Sequence, residues 1–316
     1  MTKTAKLYVV VPCYNESEVL LETSKRLCQL FEELYTCKKI SSDSKIIFVD
    51  DGSKDNTWQL ITKSHETYKW INGIKLSKNQ GHQNALLAGL LTVKDECDCT
   101  ISIDADLQDD LNAIKEMIDK FLNGTDVVYG VRKKRSTDTF FKRTTALAFY
   151  KLMKFLGVNC IYNHADYRLM SKRALDALSE FKEKNLFLRG IVPLVGFTSD
   201  CVYYDRNERF AGTSKYPFKK MLSFAFDGIT SFSITPIRII TFLGTATCFV
   251  SGIILIYSLV QKFRGFTNPG WTSIICSIWL LGGLQLLGIG LIGEYIGKVY
   301  KEVKDRPRYI IEEYLK

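Results

Sequence analysis

The stretch TISIDADLQDD, residues 100–110, joins an alternating apolar segment to four aspartates. The alternation is typical of a strand packed into a sheet, and the acidic residues begin where that strand ends. Carboxylates held close together repel and raise one another's pKa unless a cation joins them. The stretch therefore predicts a buried strand that ends in a polar, cation-binding site.

Several other segments in the first half of the chain have the same strand-like character. They are short and rich in β-branched residues, and amphipathic stretches at 16–36, 55–70 and 82–95 lie between them: KLYVVVP, KIIFVDD, INGIKLS, CTISIDA and DVVYGVR. This βαβ rhythm predicts an α/β, Rossmann-like domain with a mostly parallel sheet covered by helices. Ligands of such folds bind beyond the carboxyl ends of the strands. We therefore expect PCYNE, DDGSKD and DADLQDD to converge on one crevice.

Composition limits the possible partners and metals. The 316 residues carry a formal charge of +9, which favours an anionic partner such as nucleic acid, a lipid headgroup or a phosphorylated substrate. Nine scattered cysteines without a Cys-x-x-Cys pair, and only three histidines, argue against a zinc site. Any metal is therefore expected to be a hard cation bound by carboxylates.

Two long uncharged runs follow residue 230. No charged residue occurs from Ile239 to Gln261 or from Gly265 to Gly293, and each run exceeds the roughly 20 residues that a membrane-spanning helix needs. The pattern predicts two transmembrane helices, at about 239–261 and 271–293, in a hairpin over 236–297. A buried helical pair in a soluble core is the alternative.

The flanks of the hairpin predict its orientation. Lysine and arginine are more frequent before and after it than in its turn, where only Lys262 and Arg264 occur. We therefore expect a multi-pass membrane protein with both termini in the cytoplasm. The domains would be a cytoplasmic α/β domain over 1–215, an interfacial amphipathic segment over 216–235, the hairpin, and a basic tail over 298–316.

The acidic stretch itself divides into two pairs. Asp104 and Asp106 are two residues apart, so an extended backbone points both side chains to one face, where they could hold Mg²⁺ beside substrate phosphates. Solvated aspartates of an ordinary turn are the alternative. Asp109 and Asp110 precede the amphipathic pattern LNAIKEMIDKF, and capping of that helix explains them adequately.

In combination, the motifs resemble family 2 glycosyltransferases of the GT-A fold. The segments that carry the resemblance are VVVPCYNESEVL, FVDDGSKDNT, SKNQGHQNALLAGL, SIDADLQDD and YGVRKKR, followed by HADYRLMSKRALDAL and RFAGTSKYPFKKML. The later segments look like the branch that glycosylates polyprenyl phosphates, which includes dolichyl-phosphate mannose synthases and bactoprenol glucosyltransferases. The resemblance covers nearly the whole chain.

The resemblance implies a role for residues near the nucleotide. Pro12, Tyr14, Glu16 and Asp51 would frame the base and ribose, since a carboxylate can accept an N–H from a base and tyrosine offers a stacking face. A plain DDGS turn that starts the next helix is the alternative for Asp51.

It also implies a metal site and an acceptor site. Asp106 would hold Mg²⁺ or Mn²⁺ most directly, with Asp104 and Gln108 nearby, and Lys215 would lie near the nucleotide diphosphate. Asp166 takes the position of the general base. It could instead orient the acceptor, because a phosphate monoester is largely dianionic at neutral pH, or cap a helix.

Two arginines complete the predicted catalytic set. Arg132 ends a strand beside the crevice, where its guanidinium could clamp phosphate oxygens, and Arg209 could balance the charge of a phosphate. A solvated basic surface is the alternative for both the run 131–143 and Lys215.

The resemblance implies inverting, metal-dependent transfer of one sugar, glucose from UDP-glucose, to undecaprenyl phosphate at the cytoplasmic membrane face. Transfer of mannose from GDP-mannose or of an amino sugar is an alternative, as is a membrane scaffold or nucleotide-sugar sensor without turnover. The expected partners are a nucleotide sugar, a polyprenyl-phosphate lipid and the membrane, without nucleic acid. A homo-oligomer stays possible.

Overall fold

The computed structural model describes residues 4–133, 164–184, 186–205, 235–264 and 270–316. The strands of this part of the chain are β1 Leu7–Cys13, β2 Lys45–Asp50, β3 Ile71–Leu76, β4 Cys99–Ser102, β5 Val127–Arg132, β6 His164–Ser171, β7 Ser199–Tyr204 and β8 Ile311–Leu315. The helices are α1 Leu20–Thr36, α2 Thr57–Thr67, α3 His82–Val93, α4 Ala113–Leu122, α5 Lys172–Ser179, α6 Leu188–Ile191, α7 Thr235–Phe263 and α8 Trp271–Val303, and a 3₁₀ turn occupies Val192–Val195.

The strands form one mixed sheet in the order β7-β5-β6-β4-β1-β2-β3-β8. The pairs β1–β2, β1–β4, β2–β3 and β5–β7 are parallel. Strand β6 runs antiparallel to both β4 and β5, and β8 runs antiparallel to β3. The predicted α/β domain is confirmed, with β1 to β5 at the expected segments, and β6, β7 and β8 make the sheet mixed.

Helices cover both faces of the sheet because its central strands are apolar on both sides. All seven residues of β1 are buried, with Val9 and Val11 in one hydrophobic cluster and Val10 in the other. Helices α1 and α4 pack on the first face, and α3 and α5 on the second. This double burial is typical of parallel strands in α/β domains. Because β1 pairs in parallel with both β2 and β4, the carboxyl ends of these three strands lie at one edge of the sheet.

Helix α3 packs on the sheet through Gly89. A Cβ atom at that position would lie 2.4 Å from Val10 Cγ1 and 2.7 Å from Val49 Cγ2. We therefore expect Gly89→Ala to lower the free energy of unfolding by about 1–3 kcal/mol, because the helix would have to shift away from β1 and β2. Urea unfolding followed by circular dichroism measures the change.

Gly297→Ala in α8 is the matched control, since nothing lies within 4 Å of a Cβ atom placed there. Alanine has the higher helix propensity, so this variant should unfold at the same or a higher urea concentration. Equal destabilisation by both substitutions would show that close packing at Gly89 is not the cause.

The end of the chain closes one edge of the sheet. Strand β8 pairs with β3, and Lys75 Nζ lies 2.8 Å from Glu312 Oε1 across the pair. The basic segment 298–316 was expected to be a tail outside the domain. Because the pairing covers the free N–H and C=O groups of β3, part of that segment is instead a strand of the domain.

The predicted membrane location is wrong for the part of the chain that the structure describes. Helices α7 and α8 occupy the two uncharged runs, but no helix among the described residues combines the length and the apolar character needed to cross a bilayer. A run without charged residues is not necessarily apolar enough to cross a bilayer. A multi-pass membrane protein is therefore not supported, nor is the predicted transmembrane hairpin.

Candidate active site

The loops that follow β1 and β2 are hydrogen-bonded to one another. Asn15 has a left-handed backbone, with φ of 51°, and its N–H donates to Ser53 Oγ at 2.9 Å. The Lys54 N–H donates to Asn15 Oδ1 at 2.8 Å, and the Glu16 N–H donates to Thr57 Oγ1 at 2.9 Å. Tyr14 and Glu16 are therefore presented, half-buried, from a loop with a defined shape.

Asp51 binds the loop that follows β3. Its two carboxylate oxygens accept the N–H groups of Gln80 at 2.7 Å and Gly81 at 2.9 Å, and its side chain is almost fully buried. Burial raises the pKa of Asp51, and the two hydrogen bonds offset only part of that effect. Gly52, with φ of 65°, has no room for a Cβ atom against the backbone of Lys78. Asp51 thus shapes the crevice where it was predicted to contact the nucleotide.

The structure brings the four predicted nucleotide-binding residues of the first half to one edge of the sheet. Pro12 is buried within β1, Tyr14 and Glu16 follow its end, and Asp51 follows the end of the neighbouring β2. Their contact with a nucleotide remains a prediction. The alternative reading of DDGS as a turn also describes part of this region, since Asp50 accepts the Ser53 N–H.

The predicted metal-binding residues line the same edge after β4. Asp104, Asp106 and Gln108 are all half-buried, and the Gln108 N–H donates to Asp106 Oδ1 at 3.2 Å around Leu107, whose φ is 56°. No group of three or more His, Cys, Asp or Glu side chains suited to a metal occurs in the described ranges. Two carboxylates and an amide nevertheless fit a cation such as Mg²⁺, which binds few protein ligands and completes its shell with water and substrate phosphates.

Asp109 and Asp110 have different roles, contrary to the sequence-based interpretation that both precede and cap the next helix. Its side chain is only 3 % exposed, and it accepts the hydroxyl of Tyr204 at 2.5 Å and a guanidinium N–H of Arg132 at 3.4 Å. Asp110 instead accepts the N–H of Asn112 at 2.9 Å, just before α4 begins. Asp110 therefore orders the turn that leads into α4, although Asn112 is the N-cap and no side chain caps the helix, whereas Asp109 holds Arg132 at the crevice.

Burial and the nearby Asp104 raise the pKa of Asp109 to about 6, against an ordinary value of 3.8. Because the folded-state pKa is the higher one, the group's contribution to stability is present below its ordinary pKa and is lost as the pH rises through about 6. We compare the unfolding free energy of the wild type with that of Asp109→Asn in the absence of metal. The wild-type value minus the variant value should decrease by about 1 kcal/mol as the pH rises from about 5 to about 7.5.

Urea unfolding of both proteins in EDTA measures this difference. EDTA is needed because a bound cation would itself stabilise the ionised carboxylates of this region. A wild-type-minus-variant difference that stays constant across the range would contradict the assignment.

Asp166 reaches the site on a strand, not at a helix terminus. Strand β6 pairs with β4 so that Arg168 lies opposite Ser102. This antiparallel pairing ends two residues before Asp104 and brings Asp166 to the edge of the sheet where β4 ends. The helix that follows β6 is capped by Ser171, which accepts the Ala174 N–H. The capping alternative for Asp166 is therefore wrong.

Two arginines hold the Asp166 carboxylate. Arg168 donates to Oδ1 at 2.6 Å, and Arg189 of α6 donates to Oδ2 at 3.0 Å. Burial acts to raise the pKa of Asp166, but Arg189, Arg168 and His82 outweigh it and hold the pKa well below its ordinary range. Such a carboxylate is a poor proton acceptor near neutral pH. The geometry favours the orienting role for Asp166 over the role of general base.

His82 joins the two acidic parts of the site. It begins α3, and its Nε2 lies 3.5 Å from Asp104 Oδ1 and 3.9 Å from Asp166 Oδ2. His82, Arg189 and Tyr204 are not among the site residues predicted from sequence. The position of His82 just beyond β3, at the edge where β1, β2 and β4 also end, was the signal for its placement. Nothing in the pattern around Arg189 or Tyr204 points to this crevice.

The predicted cation Arg132 lies at the edge of the crevice, where its Nε donates to the Tyr204 hydroxyl at 3.3 Å. Outside the described residues lie Arg209, Lys215, the basic run beyond Lys133, and residues 216–234 of the predicted interfacial segment 216–235. The described crevice thus combines half-buried carboxylates at Asp104 and Asp106 with guanidinium groups and one imidazole. These groups suit a ligand that carries a cation and phosphates together.

Residues 8–179 match the family described as glycosyl transferase family 2. The Bacillus subtilis protein "Uncharacterized glycosyltransferase YkoT" is 59% identical over 97% of this chain and 91% of its own length. The "SfII prophage-derived bactoprenol glucosyl transferase" of Shigella flexneri is 40% identical over 98% of both chains. The solved glucosyl-3-phosphoglycerate synthase of Mycobacterium tuberculosis, with Mn²⁺ and UDP-glucose, shares 16% identity over 72% of this chain and 78% of its own, with a TM-score of 0.48.

Proposed function

The chain belongs to glycosyl transferase family 2 and is a glycosyltransferase, and we propose that it transfers one glucose from UDP-glucose to undecaprenyl phosphate with inversion at the anomeric carbon. The choice of sugar and acceptor is supported by the relative that is named a bactoprenol glucosyl transferase and aligns over nearly the whole chain. A family enzyme needs a site for the donor diphosphate and one for the acceptor, and the crevice offers groups for both.

The contacts of His82 are the observation that carries the proposal. Its Nε2 lies within 4 Å of both Asp104, on the predicted donor side, and Asp166, on the predicted acceptor side. The anomeric carbon has to lie between a leaving diphosphate and an attacking phosphate, so the two sides must adjoin. The contacts with one imidazole support that requirement.

The transfer is a single displacement. A phosphate oxygen of the acceptor forms a bond to the anomeric carbon while the bond from that carbon to the β-phosphate oxygen of UDP breaks, and UDP leaves with the electron pair. Asp104, Asp106 and Gln108 would hold Mg²⁺ or Mn²⁺, which supplies positive charge for the leaving diphosphate. Arg132, which Asp109 and Tyr204 hold in place, would pair with a phosphate.

Asp166 has an orienting role in this proposal. The acceptor phosphate is already largely dianionic near neutral pH, so no strong base is needed to activate it. Asp166 binds Arg189 and Arg168 and thereby keeps the Arg189 guanidinium, which is one-third exposed, in a defined position beside the crevice. The Arg189 guanidinium is then available to balance phosphate charge.

A donor-panel assay tests the proposal. Purified full-length protein is incubated in detergent with undecaprenyl phosphate, Mg²⁺ and radiolabelled UDP-glucose, and the organic phase is counted. We expect labelled lipid with UDP-glucose, and little or none with GDP-mannose or UDP-N-acetylglucosamine. A product from another donor alone would refute the choice of glucose, and binding of UDP-glucose without any lipid product would refute the choice of acceptor.

A further inference from the structure

A basic cavity lies where the end of α8 meets the start of α3. Its volume is about 310 Å³, and five of its lining residues are cations: Lys184, Lys301, Lys304, Arg306 and Arg308. None of the lining residues is acidic. The function proposed above uses none of these five side chains.

The positive charge of the cavity is only partly balanced. Lys184 Nζ lies 2.7 Å from Asp305 Oδ1, but the Asp305 side chain is 82 % exposed, so water screens the pair. Arg308 donates to the Phe181 carbonyl at 2.6 Å, which orients its guanidinium without neutralising it. Within the described ranges, Lys301 and Arg306 make no ion pair. The Glu302 carboxylate also lies close by, since it accepts the Lys184 N–H at 2.7 Å. Two carboxylates near five cations leave the cavity with a net positive charge.

Such a cluster favours a phosphate ligand. Like charges gathered in a concave site repel one another and concentrate anions there. Guanidinium and ammonium groups together match phosphate oxygens, the former as a fork of donors and the latter as a compact charge. The volume is at the lower end of the roughly 300–1,000 Å³ that ligand sites occupy, so it suits a phosphate or diphosphate group more than a whole nucleotide.

The cavity adjoins the candidate active site without overlapping its acidic residues. Gln80 and Asn84 form part of its wall, and Asn84 Nδ2 donates to the Gln80 carbonyl at 2.8 Å. The Gln80 N–H donates to Asp51, and His82 lies between the two wall residues in sequence. Residues 80–84 thus border the cavity and also include His82, a side chain of the candidate active site.

We propose that this cavity is a second anion site, which binds the phosphate or diphosphate group of a phosphorylated lipid or of a nucleotide separately from the site at Asp104 and Asp106. The proposal does not depend on the identity of the sugar or of the acceptor. It assigns to residues 301–308 a ligand-binding role in addition to their contacts with the domain.

Calorimetric titration of the full-length protein with inorganic pyrophosphate tests the proposal. EDTA is present so that metal-dependent binding at Asp104 and Asp106 is suppressed. The triple variant Lys301→Gln, Lys304→Gln and Arg306→Gln should bind pyrophosphate at least about tenfold more weakly than the wild type. A variant that keeps the charges, Lys301→Arg, Lys304→Arg and Arg306→Lys, should retain binding.

A second triple variant controls for net charge. Lys38, Lys63 and Lys172 are exposed and do not line the cavity, so their replacement by glutamine removes the same charge elsewhere. We expect pyrophosphate affinity within about twofold of the wild type, because long-range effects of exposed charges are screened by salt. If both glutamine triples weaken pyrophosphate binding equally, or if neither weakens it, the proposal is wrong.

Competition then distinguishes the sources of the phosphate. Farnesyl phosphate and UDP are each titrated against bound pyrophosphate in EDTA. Displacement by farnesyl phosphate alone indicates a lipid phosphate, and displacement by UDP alone indicates a nucleotide. If neither displaces pyrophosphate, the proposal is wrong. Since no sugar transfer is measured, this result is independent of the donor-panel assay.

Discussion

Asp106→Ala should lower the rate of glucose transfer by about 100-fold to 1,000-fold and remove the effect of Mg²⁺ on UDP-glucose binding. The carboxylate is half-buried next to Gln108 at the edge where β4 ends. Its loss would leave Asp104 as the remaining carboxylate of the predicted metal pair, and removal of one electrostatic group at a reacting centre has effects of this size. Transfer rates and calorimetric titrations with and without Mg²⁺ measure both quantities.

Asp110→Ala is the matched control in the same acidic stretch. Asp110 accepts the Asn112 N–H in the turn before α4, so the loss of this hydrogen bond should cost about 1 kcal/mol of stability and change the transfer rate less than about threefold. Normal transfer by Asp106→Ala would refute the metal assignment. An equal loss in both variants would show that the whole acidic loop, and not Asp106, matters.

Asp166→Asn should have the second-largest effect, on stability as well as on transfer. Arg168 is 2 % exposed and pairs with Asp166, so removal of the negative charge leaves a buried cation unbalanced. Breaking such a pair typically costs about 3–5 kcal/mol of unfolding free energy. We expect transfer to fall by about 100-fold at a temperature where the variant stays folded, because the Arg189 guanidinium loses its ion pair with Asp166.

Asp176→Asn is the control for loss of a carboxylate from an exposed ion pair. Asp176 pairs with Lys94 at 3.1 Å, and its side chain is about half exposed. The expected change is below about 1 kcal/mol, with normal transfer. If Asp166→Asn is no less stable than this control, the pair with Arg168 does not contribute as argued.

The pH dependence separates the two roles considered for Asp166. Its pKa is held well below the ordinary range, so the stabilisation that it provides is present above the ordinary pKa and is lost only as the pH falls through the lowered value. The carboxylate therefore stays ionised between about pH 5.5 and about pH 8. An acidic limb of the transfer rate in that range that disappears in Asp166→Asn would restore the general-base role.

The sequence predicted strands β1 to β5 well because each is a short apolar run between amphipathic helices. It did not predict β6, since HADYRLMS alternates weakly and was interpreted as the approach to a helix. The sequence also assigned Asp109 to the start of a helix, because an amphipathic pattern follows it. Local spacing relates residues on one element, whereas the partner of Asp109 is Tyr204, 95 residues away.

The sequence by itself determined the α/β class, the edge where DADLQDD and DDGSKD meet, and membership of the glycosyltransferase family, because strand periodicity and family motifs are local patterns. Only the tertiary structure placed His82 within 4 Å of both Asp104 and Asp166, paired Arg189 with Asp166, and added residues 311–315 to the sheet as β8. These arrangements depend on contacts between residues that are far apart in the sequence. The two uncharged runs were also interpreted as membrane helices. That prediction rested on the absence of charged residues, whereas crossing a bilayer depends on the hydrophobicity of the whole helix.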